Sequence, residues 1–336
     1  MTMAPPRRRR VAATAAALLS AALTFAGCSG GSGSGTPQSG TSSETRQFHA
    51  DNGTVTIPAR PQRVVAISNA VGSVIDLGVK PVGVTASTFF TNQATWFSKE
   101  ETAAYQSAEK VGSGVDEIDF EAIAAVKPDL IVIQTPLQVW KQSSAASNEN
   151  RFQSIAPTVL VGTSADWKAN DTQLADAVGK SDAIESLSQE YDVLVAELKK
   201  EFASKIESLT FVYLNRYANT PEGQVEMQPS GQFAARYATE AGLKIAECPG
   251  GKTRCALSME QLSELAEEDV IIYPLGPGGT PTEDFAPVLG SNVWKSLPQV
   301  TAGRAIGVKY PTSLSGFHQG TLNLTGLREA LRGLPG

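Results

Sequence analysis

Side chains that commonly carry out chemistry are scarce in this chain. Its 336 residues contain two histidines, His49 and His318, and three cysteines, Cys28, Cys248 and Cys255. An HExxH zinc site needs two histidines four positions apart, so this pair excludes it. A Ser-His-acid triad would have to use His318, which lies in an unsuggestive SGFHQ sequence, and no GxSxG nucleophile elbow occurs between a predicted strand and a helix. We therefore expect no enzyme, and we keep an exported hydrolase lipoprotein as the alternative from a different class.

The charge of the chain argues against nucleic acid as a partner. It has 28 basic and 34 acidic residues and a formal net charge of −6. Four of the basic residues form the run Arg7–Arg10 at the N-terminus. Without these four the chain has 24 basic and 34 acidic residues, which gives a net charge of about −10. Phosphate backbones are bound by clustered Lys and Arg, and such clusters are missing from the remainder.

The N-terminal segment is predicted to be a lipoprotein signal peptide, residues 1–27. The arginine run precedes an uncharged, mainly Ala and Leu stretch over 11–26, which is shorter than a membrane-spanning helix needs. Phe25-Ala-Gly-Cys28 resembles the lipobox of bacterial lipoproteins, which implies lipidation of Cys28; an ordinary signal peptide is the alternative. Residues 28–46 are predicted to be a flexible tether, because Gly, Ser and Thr dominate them. We thus expect anchoring to the cell membrane, outside the cytoplasm, by the lipid alone.

The other two cysteines are predicted to form a disulfide. Export makes a disulfide possible, and Cys248 and Cys255 stand seven positions apart. Pro249, Gly250 and Gly251 between them allow the sharp turn that brings two Cβ atoms within bridging range. A redox or metal pair, the alternative, lacks a CxxC spacing and a nearby histidine.

Short apolar runs alternate with helical patterns along the rest of the chain. This alternation predicts βαβ units on mainly parallel sheets. Near the middle, apolar residues recur every three or four positions without proline, which predicts a helix of about 22 residues as a rigid connector. The fold class is therefore α/β, with two lobes on mainly parallel sheets and one long α-helix between them. The predicted parts are an N-terminal lobe over 47–168, connecting helices over 169–206 and a C-terminal lobe over 207–336.

An internal similarity supports two related lobes. In one lobe Glu121 begins a short helix and Asp129 precedes an apolar strand, eight positions later. In the other, Glu260 and Asp269 are separated by nine positions and stand in the same order before the strand around Ile271. This similarity leads to the hypothesis that the lobes arose by duplication.

Several segments together resemble the substrate-binding lipoproteins of ABC importers for ferric siderophores, haem and cobalamin. They lie between residues 47 and 332 and include RVVAI (63–67), DLGVKPVGV (76–84), DFEAIAAVKPDLIVI (119–133), IAPTV (155–159) and NVWKSLPQVTAGRAI (292–306). The resemblance implies two Rossmann-like lobes joined by one long α-helix, with a ligand cleft between the lobes that closes only modestly. It implies that the ligand is a ferric siderophore. Haem or cobalamin is the alternative ligand within the same fold.

The resemblance also implies partners. Glu121 and Glu260 match the acidic residues, one on each lobe, that dock onto arginines of the membrane permease, which works with an ATPase subunit. Two carboxylates on opposite lobes can position a binding protein on a symmetric pore. The alternative is that both are ordinary exposed glutamates favoured by the helix dipole. We expect a monomer with no cofactor and no metal bound by the protein, because the siderophore fills the coordination shell of the iron.

Ligand contacts are predicted where strands end, because ligands of open α/β sheets bind at the carboxyl ends of the strands. Aromatic side chains suit the apolar rim of a siderophore, and Arg and Tyr suit its chelate oxygens. Arg216 is the strongest candidate, with a surface ion pair as its alternative. Core packing is the alternative for the aromatic candidates, and Trp294 is assigned to the core. The predicted ligand-binding residues are Asn69, Phe90, Trp96, Trp140, Trp167, Arg216, Tyr217, Tyr273, Tyr310 and His318.

Overall fold

The computed structural model describes residues 44–86, 97–162, 166–217, 220–252, 255–276, 278–309 and 316–335. The predicted signal peptide, Cys28 and nearly all of the tether lie outside these residues, as do Phe90, Trp96 and Tyr310. These described residues belong to one compact unit. Within the described ranges no helix is both long and apolar enough to cross a membrane.

The N-terminal lobe is built on a five-stranded parallel sheet with strand order β5-β4-β3-β6-β7. Its central strands are continuous apolar runs whose residues are almost all buried, as parallel strands covered on both faces require. The strands are β3 (Val64–Ser68), β4 (Gly83–Val84), β5 (Glu109–Lys110), β6 (Leu130–Gln134) and β7 (Thr158–Val161). The helices are α1 (Ala70–Asp76), α2 (Lys99–Ser107), α3 (Phe120–Ala125), α4 (Leu137–Gln142), α5 (Ser144–Ser147) and α6 (Glu149–Ile155).

An antiparallel hairpin precedes this sheet and was not predicted. It consists of β1 (Thr45–Ala50) and β2 (Gly53–Pro58), so the ordered fold begins inside the range assigned to the tether. Each strand buries one side chain, Phe48 and Ile57. The backbone N–H of Asp51 donates to the carbonyl of Leu160 at 2.9 Å, which fastens the hairpin to β7.

Three helices connect the two sheets. They are α7 (Trp167–Ala177), α8 (Ser181–Glu201) and α9 (Ala203–Ser208). The 21 residues of α8 agree with the predicted connector, and its apolar stripe packs into the core through Ile184, Tyr191 and Leu198. Gly179, at φ +68°, separates α7 from α8.

The C-terminal lobe carries a mixed sheet with strand order β11-β9-β8-β12-β13, and β10 also pairs with β8. Its strands β8, β10, β12 and β13 are parallel, whereas β9 pairs antiparallel with both β8 and β11. The strands are β8 (Thr210–Asn215), β9 (Gln224–Met227), β10 (Lys244–Ile245), β11 (Cys255–Ser258), β12 (Val270–Leu275) and β13 (Ala305–Lys309). The helices are α10 (Phe233–Glu240), two 3₁₀ helices (Pro249–Gly251 and Glu260–Glu267), α11 (Ala286–Gly290), α12 (Asn292–Ser296), α13 (Pro298–Thr301) and α14 (Phe317–Gly333).

The internal similarity has a structural counterpart. In the N-terminal lobe the Asp129 carboxylate accepts the backbone N–H groups of Gln62 and Arg63, at 2.8 and 2.9 Å, at the start of β3. In the C-terminal lobe Asp269 accepts the N–H of Thr210 at 2.9 Å, at the start of β8. Each aspartate immediately precedes a strand that pairs with the strand whose start it binds: β6 pairs with β3, and β12 pairs with β8. The two lobes therefore repeat one local design.

The predicted disulfide is present. Cys248 and Cys255 are bonded, with their Cα atoms 5.9 Å apart. Cys255 is the first residue of β11, so the bond ties the outer strand of the C-terminal sheet to the loop after β10.

One hydrophobic core cluster runs through both lobes. It joins buried residues of β3 and β6, among them Val64 and Val132, to residues of β8 and β12 such as Phe211 and Ile272, through α7, α8, α10 and α14. Each lobe also has a smaller core on the other face of its sheet. Because the main core is shared, packing across the connector fixes the relation between the lobes.

Candidate ligand-binding site

Asn69 lies where β3 ends and α1 begins. Ser68 before it has φ +61°, unusual for a residue other than glycine, and its N–H donates to Oγ1 of Thr85 at 2.9 Å. The N–H of Asn69 donates to the Gln134 carbonyl at 3.0 Å. The ends of β3, β4 and β6 are thereby held together. The Asn69 side chain is half-buried and forms no hydrogen bond to the described residues, so its amide is available for a ligand.

The edge after β6 carries exposed apolar side chains that were not among the predicted ligand contacts. On α4, Leu137 is 40% exposed and Val139 is 46% exposed. Trp140, the predicted ligand contact beside them, is 7% exposed and packs in the smaller N-terminal core. We therefore remove Trp140 from the proposed ligand contacts and replace it with Leu137 and Val139.

Trp167 packs where the lobes meet. Its ring centroid lies 5.4 Å from those of Tyr191 and Tyr237 and 4.9 Å from that of Phe317. Its Nε1–H donates to Oε1 of Glu240 at 2.7 Å, and the hydroxyl of Tyr191 donates to the other oxygen of Glu240 at 2.8 Å. Since the ring is 7% exposed, packing between α7, α8, α10 and α14 explains this tryptophan, and we also remove it from the proposed contacts.

A buried polar network beneath the N-terminal sheet edge joins the two lobes. Oδ1 of Asp171, on α7, accepts hydrogen bonds from Nε2 of Gln134 at 2.9 Å and Oγ of Ser73 at 3.3 Å. Oδ2 of Asp171 also lies 3.4 Å from where a Cβ at Gly316 would stand, so this carboxyl group of the connector approaches the start of α14 in the C-terminal lobe. Burial raises the pKa of Asp171 to about 6, against the lowering effect of these hydrogen bonds and of Arg236.

The raised pKa of Asp171 predicts a pH dependence of stability. The folded state holds the proton more tightly than the unfolded chain, so this group stabilises the fold fully below about pH 4, and that contribution is lost as the pH rises through about 6. In protein freed of metal by a chelator, we expect the free energy of unfolding of the wild type to fall by about 2 kcal/mol relative to Asp171→Asn between pH 4 and 7. Urea unfolding at several pH values measures the difference, and parallel profiles would contradict the assignment.

Arg216, the strongest candidate from the sequence, follows β8 directly. Its Nε donates to the Gln224 carbonyl at 3.2 Å, and its terminal nitrogens donate to the carbonyls of Asp284 and Thr220 at 3.2 and 3.4 Å. A guanidinium has five N–H donors, so these three bonds leave two for a ligand. Arg216 also lines a cavity of about 650 Å³ with Glu222, Met259 and Pro287.

The remaining predicted contacts of the C-terminal lobe occupy different surroundings. The Tyr217 hydroxyl accepts a hydrogen bond from Nε2 of Gln228 at 2.6 Å, beside Arg216. Tyr273 stacks on Phe285 at 5.8 Å, and burial raises the pKa of its hydroxyl, so most of its ring belongs to the lobe's core. His318 is half-buried in the first turn of α14 and faces Glu101 of the other lobe at 3.9 Å. The structure thus places Tyr217 beside Arg216, Tyr273 against Phe285 and His318 beside Glu101. As expected, Trp294 is buried in the core.

Glu121 and Glu260 occupy equivalent places on the two lobes. Both are exposed, and each lies in the first turn of a short helix, α3 or the second 3₁₀ helix. A hydrogen bond from its own backbone N–H, and a weaker effect of one with the Ser258 side chain, lower the pKa of the Glu260 carboxyl. The lowered pKa favours the charged form. This geometry offers one surface carboxylate on each lobe.

Comparisons with known proteins agree with this architecture. Residues 64–307 match the family model described as periplasmic binding protein. The chain is 27% identical to the Iron(3+)-hydroxamate-binding protein YxeB of Bacillus subtilis over 82% of each chain. It is also 27% identical to the Iron(3+)-hydroxamate-binding protein FhuD of the same species, over 87% of each.

Solved structures share the fold. The siderophore periplasmic binding protein from the fuscachelin gene cluster of Thermobifida fusca is 26% identical, with a TM-score of 0.69 over 83% of this chain and 99% of that one. The Vibrio cholerae siderophore-binding protein FhuD, 24% identical with a TM-score of 0.63 over 82% and 99%, supports the fold alone. The match to the family model covers well over half of the residues. The chain therefore belongs to the periplasmic binding protein family, whose members bind solutes for ABC importers.

Proposed function

We propose that this protein captures a ferric siderophore outside the cytoplasm and delivers it to an ABC importer. The observation that carries the proposal is similarity along both lobes to two iron(3+)-hydroxamate-binding proteins, each over more than four fifths of the chain. The surfaces at the strand ends suit such a ligand. Leu137 and Val139 supply apolar area for its rim, and Arg216 has unused donors for anionic chelate oxygens. We retain Asn69 and Tyr217 as polar contacts, and Phe90, Trp96 and Tyr310 as predicted contacts.

A fluorescence panel tests the ligand class. We expect one ferric complex among hydroxamate, catecholate and citrate complexes to quench tryptophan emission at submicromolar concentration and to raise the melting temperature. Haem binding would instead give a Soret band that His318→Ala abolishes. A panel in which no ferric complex changes either signal would reject the proposal, and turnover of ester or phosphate substrates would revive the hydrolase alternative.

The proposal includes anchoring and docking. The lipid on Cys28 and the tether would hold the protein, as a monomer, beside the membrane that contains the permease and its ATPase subunit. Glu121 and Glu260 would meet arginines of the permease, one from each half of a symmetric pore. Their equivalent positions on the two lobes support this arrangement.

A further inference from the structure

Three potential metal ligands outside the strand-end surfaces meet between α1, α2 and α14. Asp76 is the last residue of α1, Glu101 lies in the first turn of α2, and His318 is the second residue of α14. One ligand atom of each lies within 4.8 Å of the other two. The first two residues belong to the N-terminal lobe and His318 belongs to the C-terminal lobe.

The carboxyl group of Asp76 is buried without a hydrogen-bond partner among the described residues. Both of its carboxylate oxygens are buried, and neither has a hydrogen-bond partner in the part of the chain that the structure describes. Burial, followed by repulsion from Glu101 and Asp171, raises the pKa of this carboxyl well above its ordinary value. A buried carboxyl group without a partner is unfavourable, and a bound cation relieves both its desolvation and the repulsion between neighbouring acids.

The other two side chains present free ligand atoms at the same point. Oε2 of Glu101 accepts the N–H of Ser98 at 2.6 Å in the capping box of α2, while its Oε1 lies 3.9 Å from Nε2 of His318. That Nε2 is also buried and has no hydrogen-bond partner among the described residues. A neutral imidazole nitrogen in this position is a good metal ligand.

We propose that Asp76, Glu101 and His318 bind one divalent transition-metal ion, such as Zn²⁺ or Mn²⁺, between the two lobes. Two carboxylates and an imidazole suit these ions, whereas Ca²⁺ and Mg²⁺ prefer oxygen ligands alone. Tetrahedral zinc with bonds of about 2.1 Å places its ligands about 3.4 Å apart, so the side chains need to close by about 1 Å. Water completes the coordination.

The ion would join the lobes near the point where Asp171 approaches Gly316. A Cβ built at Gly316 would lie 3.2 Å from Oδ2 of Asp76 and 3.4 Å from Oδ2 of Asp171, so the two carboxyl groups approach the same side of this glycine. The bound cation is separate from the iron of a siderophore, and it gives His318 a role other than ligand contact. The inference does not depend on the proposed function.

Calorimetric titration of the chelator-treated protein tests the site. We expect one Zn²⁺ or Mn²⁺ per chain and binding of Ca²⁺ at least about tenfold weaker. Asp76→Asn and His318→Gln should each weaken binding at least about tenfold. His49→Gln is the matched control, because the other histidine is exposed on β1 and contacts Thr54, and it should leave binding unchanged.

Glu101→Gln keeps the test decisive if Asp76→Asn fails to fold. It should weaken binding at least about tenfold and should also reduce the rise in melting temperature on adding Zn²⁺. Equal binding by wild type and His318→Gln, loss of binding in His49→Gln, Ca²⁺ affinity equal to that of Zn²⁺, or no stoichiometric binding would each overturn the proposal.

Discussion

Gly326→Ala is expected to lower the free energy of unfolding by at least about 2 kcal/mol, because it forces α14 away from β13. A Cβ at Gly326 would overlap the carbonyl oxygen of Lys309 and lie 3.0 Å from its carbonyl carbon. The obstacle is the backbone at the end of β13, so no side chain can rotate out of the way. The gain of about 1 kcal/mol in helix propensity is too small to offset the clash.

The same helix offers a matched control. Nothing lies within 4 Å of a Cβ at Gly333, so Gly333→Ala should be neutral or stabilising, by up to about 1 kcal/mol. Urea unfolding measures both variants. Equal stabilities would contradict the close packing of α14 on β13, and with it the way the C-terminal lobe positions Gly316 and His318.

Charge reversal at both Glu121 and Glu260 is expected to abolish delivery without affecting capture. In Glu121→Lys/Glu260→Lys we expect siderophore uptake, and stimulation of the importer's ATPase, to fall at least tenfold, about 1.4 kcal/mol of lost docking free energy. Both glutamates are exposed, and within the part of the chain that the structure describes neither forms a hydrogen bond or ion pair with a residue proposed to bind the ligand. Affinity for the ferric complex should therefore change by less than about twofold.

A control variant separates docking from net charge. Glu190→Lys/Glu267→Lys changes the charge by the same amount at exposed positions on α8 and the second 3₁₀ helix. This control should transport normally. If both double variants lose uptake equally, general electrostatic attraction to the permease is responsible, and specific docking by Glu121 and Glu260 is wrong.

The central strands and the connector could be predicted because the local pattern of apolar residues is enough to identify each of them. Continuous apolar runs such as 130–133 are buried on both faces, and the apolar stripe of α8 has helical spacing. The hairpin β1–β2 escaped prediction because each strand buries a single side chain. Strands β9 and β11 have only four residues each, and β11 lies at the edge of its sheet, so their composition carries little signal.

The site was less predictable because its contacts join distant parts of the chain. Asp171 meets Ser73 across 98 positions and Gln134 across 37, and no local pattern indicates such a network. Residue type was also misleading at the strand ends. Trp140 suited an aromatic rim but fills a core, while its aliphatic neighbours are exposed. By contrast, Asp129 and Asp269 were found because their setting repeats in both lobes.

Titration calorimetry with ferric and iron-free siderophores tests the central proposal most directly. If the protein captures ferric siderophores, one ferric complex should bind in a 1:1 ratio with a Kd below about 1 µM, and its iron-free form should bind at least about tenfold more weakly. If hydroxamate, catecholate and citrate complexes all bind no more tightly than about 1 mM, or if haem alone binds tightly, the protein does not serve ferric siderophore uptake.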